Sequence, residues 1–151
     1  MDKVRPGGVI AFITSKGTLD KENPNVRKYI AQRADLLGAI RLPNDTFKAA
    51  AGTEITSDIL FLQKRDRLID IEPEWVHLAT DANGIRMSAY FVDNPEMVLG
   101  DMQMVSGPHG MESACIAYEN AELGDLLRDA IQNIHAEITE FEIDDLEAED
   151  E

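Results

Sequence analysis

Val9-Ile-Ala-Phe-Ile-Thr-Ser15, Leu36-Leu-Gly-Ala-Ile-Arg-Leu-Pro43 and Asp58-Ile-Leu-Phe-Leu-Gln-Lys64 are three aliphatic runs separated by segments rich in turn residues. A strand with one wet face alternates apolar and polar residues, so runs this continuous suit strands buried on both faces. They predict an α/β sheet covered by helices. A doubly wound sheet needs more than three strands and binds its ligand at the carboxyl ends of strands, near a switch in their order. The chain therefore reads as the second half of a larger sheet.

Outward from these runs, Thr18 to Asn25 reads as a polar loop. A helix over Pro24 to Asp35 follows, with Asn23 as its cap, Pro24 at its first position, and Val26, Tyr29, Ile30 and Arg33 along one face. Asn44 to Ser57 is a long loop holding Phe47, three consecutive alanines and Gly52. Trp75-Val-His-Leu-Ala79 is a short strand ended by an Asn83-Gly84 turn. Ser88 to Val92 and Pro95 to Leu99 are two helical turns, the second closed by Gly100, and Ser106 to Gly110 is a loop. Met97, Met102, Met104 and Met111 suit gap-filling in a small core. Leu123, Leu126, Leu127, Ala130, Ile131, Ile134, Ile138 and Phe141 recur at helical spacing after Asn120, a capping residue, and Glu122, which suits the positive end of the dipole. The organisation read from the sequence is 1–65 as an α/β part, 66–119 as an irregular α+β extension, 120–141 as an amphipathic helix, and 142–151 as an acidic disordered tail.

Fourteen Lys plus Arg stand against 29 Asp plus Glu, a formal net charge of −15. Met1 to Arg65 holds 11 basic and 7 acidic residues, whereas Asp66 to Glu151 holds 3 and 22. The first territory can face nucleic acid; the second repels phosphate, which argues against tight DNA binding by this chain alone. Cys115 is the single cysteine, so no internal disulfide forms, and His77, His109 and His135 are too scattered for a zinc site. No apolar stretch approaches a membrane span and no signal-peptide pattern opens the chain, so the expected location is the cytoplasm.

The ordered series Arg5-Pro6-Gly7-Gly8, Ile13-Thr14-Ser15-Lys16-Gly17, Val26-Arg27-Lys28-Tyr29-Ile30, Leu37-Gly38-Ala39-Ile40-Arg41-Leu42-Pro43, Phe47, Gly52-Thr53-Glu54 and Thr56-Ser57-Asp58-Ile59-Leu60-Phe61-Leu62 resembles adenine-specific DNA methyltransferases. These are the gamma-type enzymes related to the modification subunits of type I restriction systems. The series looks most like the methylase part of large bacterial mobile-element proteins that couple such a domain to a Swi/Snf-type helicase. It covers roughly the first two-fifths of the chain by motif. The resemblance implies the carboxyl-terminal half of a Rossmann-like methyltransferase sheet, with three buried strands, the last antiparallel, followed by a mostly helical acidic extension. It also implies S-adenosylmethionine as cofactor of the full-length parent, and the upstream methyltransferase half and DNA as partners.

Two family elements are absent. No Gly-rich cofactor turn occurs, and no Asn-Pro-Pro-Tyr or Asp-Pro-Pro-Tyr loop, since the chain has no Pro-Pro dipeptide. The resemblance thus assigns no catalytic and no cofactor-binding residue here, and a chain inactive alone. What remains is the loop after the second strand, from which Phe47 can stack on an extruded adenine; it equally suits a core anchor. Lys16 and Lys48 are the candidate phosphate contacts, against the ordinary reading of solvated lysines. Thr53, Glu54 and Thr56 suit turn formation and strand capping. Ser15, Asp20 and His77 lack the Gly-x-Ser-x-Gly elbow of a hydrolase. Beside the methyltransferase fragment stand two alternatives: a noncatalytic module completing a partner's methylase-like fold, and an acidic interaction protein that docks or self-associates through its terminal helix.

Overall fold

The computed structural model describes residues 5–52 and 54–134. Strands β1 (Val9–Ser15), β2 (Ala34–Leu42) and β3 (Ser57–Lys64) form one sheet in the order β1-β3-β2. β3 runs antiparallel to both neighbours, so β1 and β2 point the same way without touching. Ile59 of β3 lies between Ile13 and Ile40. Leu37 is the extra residue of a bulge in β2, where the register shifts between Leu36 and Gly38.

The expected Rossmann-like α/β sheet with a mostly helical extension is overturned. Every strand ladder among the described residues is antiparallel, and helices are short. Beyond β3 the chain builds two hairpins: β4 (Leu78–Thr80) with β5 (Arg86–Ser88), and β6 (Asp101–Gly107) with β7 (Gly110–Ile116). The segment Ser106 to Gly110, read as a loop, is the closed end of the second hairpin. Gly107 pairs with Gly110 around Pro108 and His109, and Gly110 takes φ 112°. Pro108 and His109 turn the chain and the following Gly110 takes the positive φ, so the expected loop is the tip of a hairpin whose flanking strands the sequence reading did not include.

Burial on both faces also fails for β1, whose residues alternate between exposed and half-buried, with Ile13 55% exposed. β2 and β3 instead supply Ala39, Ile40, Leu42, Leu60 and Leu62 to the core. This core is continuous with Leu19, Val76, Met87, Phe91, Met97, Leu99 and Cys115. Met104 and Met111 lie exposed on the second hairpin while Met97 is buried.

Helix α1 (Gly17–Asp20) is a single turn inside the expected polar loop, and α2 spans Asn25–Arg33. Pro24, not Asn23, is at the cap of α2, and the helix opens one residue later than expected; Asn23 Oδ1 accepts the Asn25 N–H at 3.0 Å just before it. The buried face of α2 is Arg27, Ile30 and Ala31, and the predicted Val26 and Tyr29 are exposed. Arg27 wins that face because its guanidinium donates to the Val76 and Lys21 carbonyls, each at 2.6 Å, while its apolar stem packs. The long loop contains a turn of helix, α3 (Lys48–Ala51). Trp75 sits in a 3-10 turn, Glu74–Val76, so only Leu78 to Thr80 of that stretch is strand.

Helix α4 (Ala89–Asp93) is capped by the Ser88 hydroxyl, which accepts from the Tyr90 N–H. Pro95–Met97 is a 3-10 turn. Helix α5 (Leu123–Ile131) docks through Leu123, Leu126, Leu127 and Ala130. Glu122, not Asn120, is at its cap; Asn120 has φ 60°, a left-handed conformation that Asn tolerates. The expected continuation of α5 over 135–141, the tail 142–151 and Thr53 lie outside the described residues.

Candidate functional site

Because β1 and β2 point the same way and β3 opposes them, Ser15 and Lys16, the loop after Leu42, and Thr56 before β3 gather at one end of the sheet. The Lys16 N–H donates to the Thr56 carbonyl at 3.0 Å and holds this edge together. The tip of the β6–β7 hairpin completes the opposite wall. The enclosed cleft, about 440 Å³, is lined among others by Lys16, Asn44, Glu54, Thr56, Ser106 and Glu112. The hairpin is tied down from below: Asn44 N–H donates to the Cys115 carbonyl at 2.7 Å, and Cys115 N–H donates to Thr56 Oγ1 at 3.0 Å.

Of the candidate residues, Lys16 lines this cleft. Lys48 is exposed on α3, where its ammonium donates to Glu54 Oε1 at 3.2 Å; Asn44 Nδ2 donates to the other oxygen, Glu54 Oε2, at 3.1 Å. Phe47 immediately precedes α3, half-buried and packed against the core. The cleft therefore offers one cation, two carboxylates and several hydroxyls, a lining suited to hydrogen-bonded recognition. Among the described residues that line it, no nucleophile is hydrogen-bonded to a base. Asp20 is bonded to Arg41, and the His77 ring lies 3.4 Å from Glu72, so Ser15, Asp20 and His77 form no triad. No group of three His, Cys, Asp or Glu among the described residues is placed to hold a metal. No described helix is long and apolar enough to cross a membrane.

Beneath the cleft lies a charged network that the sequence reading did not single out. Arg41 donates to Asp58 at 2.8 and 3.0 Å and to Asp20 at 2.8 and 2.9 Å. Asp20 Oδ1 also accepts the Ser88 N–H at 3.0 Å, joining α1, β2, β3 and the start of α4. Burial alone lowers the Arg41 pKa, but the adjoining carboxylates more than offset it, so it is raised and the guanidinium stays charged. The guanidinium carbon sits 4.5 Å from the centre of the Phe91 ring, which covers it. The available signal was an arginine inside an otherwise apolar strand and an aspartate opening another. Charges in such places must find each other.

No family model and no solved structure matches this chain. Over 81 residues it is 31% identical to the "Defense against restriction protein B" of Escherichia phage P1. The matched stretch is 53% of this chain and 4% of that protein, so the chain spans a small part of its relative.

Proposed function

We propose that this chain is a noncatalytic segment of a longer protein that acts against restriction and is related to DNA adenine methyltransferases. The observation that carries the reading is the 81-residue similarity to a phage protein named for defence against restriction. The ordered motif series, which resembles restriction-related methylases, supports it from a second direction. In this reading the cofactor-binding and catalytic residues belong to other parts of the protein. The residues here do not fit S-adenosylmethionine: the strand-end cleft has no aromatic wall for an adenine, and Glu54, the acid best placed for a ribose, is engaged by Asn44 and Lys48. No step through the cofactor is assigned to this chain.

What the segment contributes is a framed end of a sheet. Lys16 supplies a cation to DNA phosphate, and Phe47, immediately before α3 in the segment between β2 and β3, supplies an aromatic ring for stacking. Isothermal titration of the chain with S-adenosylmethionine, and gel shifts with duplex DNA at two salt concentrations, test the reading together. It predicts no saturable cofactor binding and weak, salt-sensitive DNA binding, because a net positive charge is confined to the first 65 residues. One-site cofactor binding at micromolar concentration, or tight DNA binding that survives added salt, would falsify the noncatalytic assignment.

A further inference from the structure

The two edges of the main sheet are treated differently. Along β2, Val98 bridges to Arg41 and the Leu99 N–H donates to the Arg41 carbonyl at 2.9 Å, so the chain covers its own edge. β1 is the other edge. Its bonded positions toward β3 are fixed at both ends, where Lys64 N–H donates to the Gly8 carbonyl and Lys16 N–H to the Thr56 carbonyl, each at 3.0 Å. Bonding sides alternate along a strand, so the peptide groups of Val9, Ala11, Ile13 and Ser15 point away from β3. No described residue pairs with these four.

Stable folds protect an edge strand with a charge, a proline, a bulge or a cover. Among the described residues, β1 has none of these. It is uncharged and free of proline, and its register runs unbroken from Val9 opposite Gln63 to Ser15 opposite Ser57. The same outward residues put apolar side chains in water, Ile13 at 55% exposure and Val9 at 38%. Peptide groups and apolar surface that no described residue meets thus coincide on one strand.

We propose that β1 pairs antiparallel with β1 of a second copy of this chain about a two-fold axis, joining two three-stranded sheets into one. The strand is self-complementary. With the axis at Phe12, Val9 lies opposite Ser15 and Ala11 opposite Ile13, so all four outward peptide groups meet their equivalents. Phe12 faces its own copy, the small Ala11 admits Ile13, and Lys16 meets Gly8 instead of a like charge. Of the 29 acidic residues 22 lie beyond Arg65, outside the sequence of the main sheet, so the contact itself sets no carboxylates against each other. An edge of seven residues is small beside the ~1,200 Å² of a standard interface, which makes the dimer reversible and its population dependent on concentration. The inference stands whether or not the chain serves a methylase-related protein.

Sedimentation equilibrium of the full chain across a wide concentration range tests it. A monomer–dimer equilibrium is expected, tightened by added salt because each copy carries −15. Ala11→Pro removes one outward N–H and spares the β3 ladder, and Ala11→Lys places a charge on the exposed face. Each should raise the dissociation constant by about tenfold or more, about 1.4 kcal/mol. Ala11→Lys should do so with an unchanged unfolding midpoint at concentrations where the unsubstituted chain is monomeric. A chain that stays monomeric throughout overturns the proposal, and so does a dimer that persists in Ala11→Lys. If deletion of residues 135–151 converts a monomer into a dimer, the chain's own terminal segment occupies the edge, and the second copy is ruled out as its native occupant.

Discussion

Arg41 and Asp58 lie directly opposite each other on β2 and β3, joined by hydrogen bonds of 2.8 and 3.0 Å with neither side chain exposed to solvent. Their pairing fixes the register of the two strands whose ends frame the cleft. A one-residue slip would part Asp58 from Arg41 and leave its charge buried without that partner, at a cost of several kcal/mol. Asp20 extends the pair to α1 and, through the Ser88 N–H, to α4. The network therefore ties the first 65 residues to those that follow.

Removing the cation should unmake this joint. Arg41→Met leaves Asp58 and Asp20 facing each other in the core and should cost about 3 to 5 kcal/mol. Arg41→Lys should lose much of the same stability, because an ammonium cannot serve both carboxylates in the planar, forked geometry seen here. Urea unfolding followed by the fluorescence of Trp75, the sole tryptophan and 7% exposed, measures both. A loss under about 1 kcal/mol for Arg41→Met would mean the network is not a structural joint.

Cys115 should be inert in the native protein. Its side chain is fully buried, and burial pushes the thiol up to about 12. Since the folded pKa lies above the unfolded value of about 8.5, the neutral thiol contributes stability that is fully present below that value. The contribution is lost as pH climbs from there toward about 12. Labelling with a disulfide reagent at pH near 8 should proceed only as fast as the chain opens and should accelerate in denaturant. Labelling at the rate of a free thiol without denaturant would contradict the buried placement.

Phe47 carries two separable expectations. Being half-buried, it should lose less on truncation to Ala than the about 3 to 5 kcal/mol of a fully buried Phe. If it also stacks on an extruded base within the complete polypeptide, Phe47→Ala should reduce turnover by the equivalent of about 1 to 3 kcal/mol, and Phe47→Tyr should keep most activity. Thermal melting and turnover measured on the same variants distinguish the roles. A lowered melting temperature with normal specific activity in the folded fraction would remove the stacking role.

The three main strands were legible because each is a long apolar run bounded by turn residues, and β2 and β3 begin within two residues of the predicted starts. Their company was not. Continuous apolar character in Val9 to Ser15 suggested cover on both faces, whereas among the described residues the strand alternates exposed and half-buried positions. The face of α2 was right at Ile30 and misplaced at Val26 and Tyr29, since Arg27, whose stem and bonded head fit a buried position, shares the buried side with Ile30 and Ala31. The β6–β7 hairpin was missed because Gly107, Pro108 and Gly110 signal chain reversal without saying whether strands flank it. For the site, Lys16 could be placed at a strand end, whereas the wall supplied by the hairpin depends on contacts distant in sequence.

In the proposed role this chain is a noncatalytic segment of a longer, methylase-related protein that acts against restriction. Transfer of labelled methyl groups from S-adenosylmethionine to adenine in duplex DNA tests it most directly, measured for the chain alone and for the complete polypeptide that contains it. The account predicts no transfer by the chain, N6-methyladenine formed by the complete polypeptide, and loss of that product when the segment from Val9 to Lys64 is deleted. Transfer by the isolated chain, or undiminished transfer by a polypeptide lacking that segment, would contradict it.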